Sequence, residues 1–166
     1  TATITSRDNA ILCGSPWADE VCRQIDTSLT IHWSLAEGDQ IDADTVIGEV
    51  TGSARAILTA ERTMLNFVQT LSATATQTRV LSRLIEHTET RLLDTRKTLP
   101  GLRLAQKYAV LCGGGINHRI GLFDAFLIKE NHIRASGGIA NAIANARQMH
   151  PDRRLEIEVE SLEQFT

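Results

Sequence analysis

Basic side chains recur in three short polar segments in the second half of the chain, and their types indicate anion binding. They are Arg96, Lys97, His118, Arg119 and Lys129. Arginine holds a carboxylate or phosphate with two parallel hydrogen bonds, whereas lysine offers a single point charge. A basic loop residue is most often only solvated. Three such segments joined by short apolar elements nevertheless indicate a pocket for a small polyanion.

Two charged side chains outside these segments are further candidates. Glu158 suits a sugar hydroxyl or Mg²⁺, and the alternative is a strand carboxylate that faces solvent or a nearby lysine. Arg62 interrupts a predicted amphipathic helix, and the alternative is an exposed helical arginine. The total positive charge exceeds what one monocarboxylate requires. The pattern therefore favours a ligand with two carboxylates together with a phosphorylated cosubstrate.

The composition argues against several other classes of protein. The 166 residues are 42% hydrophobic and 22% charged, which is ordinary for a globular protein with a buried core. A formal net charge of −3 argues against general nucleic-acid binding. No apolar run approaches the roughly 18 residues of a membrane span. The three cysteines have no metal-binding spacing, so we expect reduced and mostly buried thiols in a cytoplasmic protein.

The first half of the chain is predicted to form a small α/β layer followed by a long helix. Strands are expected at residues 2–8, 30–35 and within 41–50, with a helix over 17–25. Residues 53–87 are strongly helical. Polar side chains in the middle of that stretch allow two abutting helices as an alternative: Ser72, Thr74 and Thr76.

The second half alternates between strands and helices. Strands are predicted from Leu92 and over 125–128 and 155–160, with helices over 102–112 and 139–149. This βαβαβ order implies parallel strands and right-handed crossovers. Either an open doubly wound sheet or the beginning of an α/β barrel would fit. Both place a site at the carboxyl ends of the strands, which is where the basic segments lie.

Several local details accompany this interpretation. The helix over 102–112 is expected to place Leu104, Tyr108 and Leu111 on one side and to end at three glycines. Residues 129–132 are read as a third polar loop. The sequence lacks an initiating Met and closes on the start of a helix at Ser161. A barrel needs on the order of 200 residues, so we expect this chain to be a fragment of a longer protein.

Four ordered stretches resemble quinolinate phosphoribosyltransferase over nearly the whole chain. They are ERTMLNFVQTLSATAT, LLDTRKTLPGLR, KYAVLCGGGINHRIGLFDAFLIKENH and EIEVESLEQF. The resemblance implies an α/β fold with an N-terminal α/β sandwich layer followed by the first βαβαβ part of an incomplete α/β barrel. It divides the chain into a sandwich domain with a helical connection, residues 1–87, and the truncated barrel, residues 88–166.

The resemblance also implies an activity. The family condenses quinolinate with phosphoribosyl pyrophosphate and releases pyrophosphate and CO₂, which gives nicotinate mononucleotide for NAD synthesis. It implies Mg²⁺ as the cofactor and a homodimer or higher homo-oligomer, with no nucleic-acid or membrane partner. Much of the phosphoribosyl site lies beyond residue 166 in the family, so this fragment alone is expected to be inactive. Two alternatives stay open: a transferase for nicotinate or another ring acid, and a non-catalytic anion-binding or assembly fragment.

Site roles are carried over motif by motif. Arg62 is similar to the arginine that reaches a neighbouring subunit's site. Thr95 and Arg96 match the quinolinate-binding part of the DTRKT loop, and Lys97 matches its catalytic lysine near the phosphoribosyl donor. The remaining matches belong to the NHR, IKEN and final strand motifs. His118, Arg119 and Lys129 resemble residues around the quinolinate carboxylates, and Glu158 resembles a catalytic acid that contacts the ribose or its metal.

Overall fold

A computed structural model describes residues 1–165, in which the chain forms two compact units. The first unit comprises Thr1–His118, and the second begins at Arg119. No helix among the described residues is both long and apolar enough to cross a membrane.

The first unit begins with a layer of short strands and one helix. Its elements are β1 (Ala2–Ser6), β2 (Ala10–Ile11), α1 (Ser15–Ile25), β3 (Thr30–Trp33), β4 (Gln40–Ile41) and β5 (Thr45–Thr51). Strand β5 lies between β1 and β3 and is antiparallel to both, while β2 pairs with β4. Apolar residues of the sheet, including Ile4, Ile47 and Val50, are buried in a common core. The predicted α/β layer is therefore present.

Helix α2 (Ala54–Ile85) is one continuous helix of 32 residues, not two. Ser53 caps its first turn by accepting a hydrogen bond from Ala56 N at 3.2 Å. The hydroxyls of Thr74, Thr76 and Thr78 each donate to the carbonyl four residues earlier. These side chains thus satisfy their hydrogen bonds on the helix itself. The polar stretch that suggested a break does not interrupt the helix.

Helix α3 (Arg103–Cys112) packs against α2 through small side chains. Ala105 and Ala109 join Leu71 and Ala75 of α2 in a second core. Of the three large side chains predicted on one side of this helix, Tyr108 packs against that core, whereas Leu104 is 69% exposed and Leu111 is 49% exposed. Close contact between the two helices favours alanine. The backbone also remains close to α2 immediately after α3, because a Cβ on Gly113 would lie 2.4 Å from a backbone oxygen of α2.

The parallel pairing in the first unit is shorter than predicted. Leu93 forms an isolated parallel bridge with Ile116, and α3 connects the two positions. Ile116 N donates to Leu92 O at 2.8 Å, and Asp94 N donates to Ile116 O at 3.1 Å. The segment after the glycines, which was predicted as a loop, therefore begins with the second parallel position.

The second unit contains a parallel strand pair and its helices. Its elements are β6 (Ala125–Ile128), α4 (Glu130–Ser136), α5 (Ile139–Met149), β7 (Arg154–Ile157) and α6 (Leu162–Phe165). Strands β6 and β7 are parallel, and Ile128 packs with Ala142 and Ala146 of α5. Helix α5 has the predicted bounds, and β7 ends three residues earlier than predicted.

Helix α4 replaces the third loop that was predicted at residues 129–132. Lys129 N donates to His132 Nδ1 at 3.0 Å, which caps the first turn of the helix. Gly137, with a φ of 76°, closes the last turn in the left-handed conformation that favours glycine. The polar residues that suggested a loop are helix-capping residues. Lys129 lies immediately before this helix.

Candidate active site

Asp94 is the centre of a buried hydrogen-bond network in the first unit. Its Oδ1 accepts hydrogen bonds from Lys107 Nζ at 2.5 Å and from His118 N at 2.8 Å. The side chains of Lys107 and Asp94 are 3% and 7% exposed. With its amide oriented to match these neighbours, Asn117 Nδ2 donates to Asp94 Oδ2 at 2.8 Å and to Lys107 O at 2.9 Å.

This network joins the two motifs that follow the parallel positions of the first unit. Asp94 opens the DTRKT loop, and Asn117 and His118 belong to the NHR segment. A buried carboxylate with a lysine and further donors is held in one geometry, because each lost contact would leave a polar group unpaired. Asp94, Lys107 and Asn117 were missed from the sequence. The sequence offered one signal for Lys107, because it is a charged residue on the inner face of a predicted helix.

The loop after Asp94 presents the predicted anion-binding residues. Thr95 Oγ1 accepts from Lys97 N at 3.0 Å, and Thr98 N donates to Arg96 O at 3.0 Å, so the loop is tightly folded. Thr95 and Lys97 are exposed, while Arg96 is half-buried. Arg96 Nε is shielded from solvent, and no acceptor for it lies among residues 1–165.

A small cavity lies against this loop. Its volume is about 170 Å³, and it is bordered by Asp94, Thr95, Lys97 and Lys107 together with neighbouring residues of α2 and α3. The structure therefore brings Thr95 and Lys97 to one cavity. The backbone N–H of His118 donates a hydrogen bond to Asp94, which opens the same loop.

Arg119 is the most buried predicted site residue of the second unit. It is 9% exposed, and its Nη1 donates to Ala125 O at 3.3 Å. The turn that follows it is fixed by Asp124, whose carboxylate accepts hydrogen bonds from Ile120 N at 2.7 Å and Gly121 N at 2.9 Å. These backbone hydrogen bonds lower the pKa of Asp124, and the charge of Arg119 contributes. Asp124 was not predicted as part of the site.

Lys129 and Glu158 form an ion pair in the second unit. Lys129 Nζ lies 2.9 Å from Glu158 Oε1 and 2.7 Å from Oε2. Glu158 N also donates to Ile128 O, so the two side chains follow the carboxyl ends of adjacent parallel strands. They are 40% and 54% exposed. This is the arrangement that the sequence offered as the alternative for Glu158, a carboxylate neutralised by a lysine.

Arg62 lies elsewhere in the first unit. It is exposed on α2 and borders a cleft of about 840 Å³ between that helix and β1. Arg62 precedes Thr74, which borders the cavity at the DTRKT loop, by twelve residues of one helix. At 1.5 Å per residue the two lie about 18 Å apart along the helix axis. That separation exceeds the reach of an arginine side chain.

The described residues do not by themselves form a magnesium site. The group of three close donor side chains in residues 1–165 is Cys13, Glu37 and Cys112. Two of these donors are thiols, whereas Mg²⁺ prefers oxygen ligands. Glu158, the predicted metal contact, has both carboxylate oxygens on Lys129 Nζ. Magnesium binding stays a proposal.

The chain is an α/β protein with basic side chains in the loops of both units. Residues 1–72 match the family model of the quinolinate phosphoribosyl transferase N-terminal domain, and residues 74–166 match that of its C-terminal domain. The chain therefore belongs to the quinolinate phosphoribosyltransferase family. The two models meet inside α2, and the domain boundary expected between residues 87 and 88 stays a prediction.

Relatives and solved structures agree with this assignment. The chain is 42% identical to a chloroplastic nicotinate-nucleotide pyrophosphorylase of Arabidopsis thaliana, covering 96% of this chain and 45% of the relative. It is 40% identical to a probable nicotinate-nucleotide pyrophosphorylase of Synechocystis, covering 96% and 54%. The nicotinate-nucleotide pyrophosphorylase structure from Francisella tularensis matches with a TM-score of 0.95 and 53% identity, covering 98% of this chain and 58% of that one.

Solved structures also agree with the fold class that the sequence predicted. NadC from Streptococcus pyogenes matches with a TM-score of 0.92 and 38% identity over 98% of this chain and 58% of that one. The chain spans about half the length of the relatives that it matches. The family resemblance and the fold class, an α/β sandwich layer followed by the first part of an incomplete α/β barrel, are confirmed.

Proposed function

We propose that the protein containing this chain is a decarboxylating quinolinate phosphoribosyltransferase. It transfers phosphoribose from phosphoribosyl pyrophosphate to quinolinate and releases pyrophosphate and CO₂, which gives nicotinate mononucleotide for NAD synthesis. The observation that carries the proposal is Arg96 Nε, a shielded cationic donor with no acceptor among residues 1–165. It lies in the DTRKT loop of a chain whose two parts both match the family.

Quinolinate recognition is assigned to the arginines and their neighbours. Quinolinate is a dianion, so Arg96 and Arg119 can each hold a carboxylate through a planar fork. Thr95, His118 and Lys129 supply further hydrogen bonds at the same ligand. Nicotinate lacks one carboxylate and would leave a buried guanidinium unpaired. That cost favours quinolinate over nicotinate.

The phosphoribosyl donor is assigned to Lys97 and Glu158. The anomeric carbon becomes cationic as pyrophosphate leaves, and the exposed ammonium of Lys97 is suited to stabilise the developing negative charge. Glu158 accepts hydrogen bonds in the structure and is suited to a ribose hydroxyl. When bound, Mg²⁺ would neutralise pyrophosphate charge. Decarboxylation then follows: the bond between the ring and the carboxylate breaks, CO₂ leaves, and the electron pair stays on the ring carbon beside the cationic nitrogen, which stabilises it until that carbon takes a proton from water.

A homo-oligomer is part of the proposal, and its support is the position of Arg62. The side chain lies about 18 Å along α2 from the residue that borders the DTRKT cavity, so it cannot serve the cavity of its own chain. A second copy of the protein would have to receive it. The cytoplasmic location also stays a proposal. It is supported by three unpaired cysteines, while several plant relatives are named chloroplastic or mitochondrial.

The test compares substrate affinities in the intact enzyme. Arg96→Ala is expected to raise the KM for quinolinate about 10- to 100-fold, since a charge-assisted hydrogen bond contributes about 1.5–3 kcal/mol. The KM for phosphoribosyl pyrophosphate should change far less. Arg55→Ala, an exposed arginine at the start of α2, is the matched control. An equal loss for both substrates would contradict the assigned role.

The two other candidates make different predictions. A transferase for nicotinate or another ring acid would turn over nicotinate at least as well as quinolinate. A non-catalytic assembly fragment is favoured by one observation, the large apolar side chains that this chain exposes, including Leu104, Leu122 and Phe123. For this chain alone we propose anion binding without turnover. Product formed by residues 1–166 alone would exclude that statement.

A further inference from the structure

Two cysteines and one glutamate meet in the first unit, away from the DTRKT loop. The thiol sulfurs of Cys13 and Cys112 and a carboxylate oxygen of Glu37 all lie within 4.8 Å of one another. They come from three separate parts of the fold. Cys13 precedes α1, Glu37 lies in the turn before β4, and Cys112 is the last residue of α3.

The Glu37 carboxylate is held in place by the start of α1. Its Oε1 accepts from Ser15 N at 2.9 Å and from Ser15 Oγ at 2.5 Å, and its Oε2 accepts from Gly14 N at 3.1 Å. Cys112 Sγ donates to Oε2 at 4.0 Å. Gly14 N and Cys112 Sγ therefore both donate to this oxygen, and a cation that displaced the thiol proton would take the place of the second donor. The carboxylate is fixed beside two sulfurs.

We propose that Cys13, Glu37 and Cys112 form a site for one thiophilic divalent cation, of which Zn²⁺ is the type. Zinc binds thiolates at about 2.3 Å and carboxylate oxygens at about 2.0–2.2 Å in tetrahedral geometry. Those bond lengths place donor atoms roughly 3.5–3.8 Å apart. All three atoms lie within 4.8 Å of one another, so they need to approach by about 1.3 Å at most. A water molecule would take the fourth position, as in zinc sites with three protein ligands.

The third cysteine provides the contrast within the same unit. Cys22 lies in the apolar core with its sulfur 4.0 Å from Met64 Sδ, as expected for a small buried apolar residue. Cys13 is equally buried but adjoins a carboxylate. A bound dication would displace the two thiol protons and compensate the buried negative charge.

Cation binding would join three segments that otherwise meet through hydrogen bonds. Arg79 already donates to Cys112 O and Gly113 O at 3.0 Å, which fixes the end of α3 against α2. A cation on Cys112, Cys13 and Glu37 would also fix that helix end to the start of α1. The expected consequence is a higher melting temperature for the protein. The inference does not depend on the proposed catalytic function.

The test uses the reduced, metal-free protein and titrates it with Co²⁺ and Cd²⁺. One equivalent should produce thiolate-to-metal absorption, with the visible spectrum of tetrahedral cobalt. Cys112→Ser and Glu37→Gln should each weaken binding by about tenfold or more, since loss of even an outer-shell partner costs 10–100-fold. Cys22→Ala is the matched control and should retain both spectra. Circular dichroism confirms that each variant is folded.

Cys13→Ser is a second test of the site, but Cys13 is buried. If that variant does not fold, the result for Cys112→Ser decides whether the cation site exists. The inference is overturned if the original protein shows no thiolate-to-metal absorption. It is also overturned if the signal persists unchanged in folded Cys112→Ser or depends on Cys22.

Discussion

The two lysine–carboxylate pairs of this chain have the same chemistry and opposite surroundings. Lys107 and Asp94 of the first unit are 3% and 7% exposed, whereas Lys129 and Glu158 of the second are 40% and 54% exposed. Asp94 also accepts a backbone hydrogen bond from His118, while both oxygens of Glu158 are on Lys129. The buried pair fixes two loops, and the exposed pair can exchange partners with a ligand.

The difference in burial sets the expected energetic roles. Removing one member of a buried pair leaves an uncompensated charge in a medium of low polarity, which costs several kcal/mol. An exposed pair is solvated in both states and contributes about 0–1 kcal/mol. Stability should therefore depend on the first pair, and substrate affinity on the second.

Lys107→Met is expected to cause the largest effect. It leaves the Asp94 carboxylate buried without its cation, and we expect a loss of about 3–5 kcal/mol in the free energy of unfolding. Denaturant unfolding of the intact protein measures this value. Lys129→Met is the matched control at the exposed pair. A loss below about 1 kcal/mol for Lys107→Met would remove the distinction between the two pairs.

Lys129→Met should separate affinity from stability. We expect a change of no more than about 1 kcal/mol in the free energy of unfolding, because the pair is exposed. In the intact enzyme the KM for quinolinate should rise about 10- to 100-fold, since a hydrogen bond from a charged group is lost. Steady-state kinetics with each substrate varied in turn tests this. A large loss of stability with unchanged KM would reverse the assignment.

Asp124→Asn should have the smallest effect, present at neutral pH and fading as the pH falls into the acid range. Backbone hydrogen bonds from Ile120 and Gly121 lower the pKa of Asp124 in the folded state. Its contribution to stability is therefore complete above the unfolded pKa of about 3.9 and is lost as pH falls through the lower folded value.

The measurement for Asp124 is the unfolding midpoint as a function of pH. The variant should lose part of the acid dependence, whereas Asp152→Asn, an exposed aspartate of the same unit, serves as control. Identical pH curves for Asp124→Asn and the original protein would show that the turn after Arg119 does not depend on this carboxylate.

The sequence predicted elements whose limits are marked locally. Helix α5 has the predicted bounds because Gly138 precedes it and His150-Pro151 follows it. The predicted DTRKT and NHR motifs also lie where parallel positions end, at Leu93 and Ile116. Hydrophobic periodicity and helix-breaking residues carry enough information for this level of description.

Features that depend on particular side-chain contacts were not predictable in the same way. Helix α4 was read as a loop because its first turn is polar, and its cap depends on a side chain three residues away, His132 to Lys129 N. Two of the three large side chains predicted on one side of α3 are exposed, because the contact with α2 selects small residues over large ones. The role of Lys107 follows from its contact with Asp94, thirteen residues earlier.

Helix α2 couples two cores through its helical phase. Met64 and Val68 belong to the core of the N-terminal layer, while Leu71 and Ala75 belong to the core shared with α3. Each residue turns an α-helix by about 100°. One residue inserted between Val68 and Leu71 would rotate one set of buried side chains away from its core while the other set stayed in place. One continuous helix therefore fixes the rotation of the N-terminal core relative to the core shared with α3. The family models divide the chain within this same helix, at residues 72 and 74.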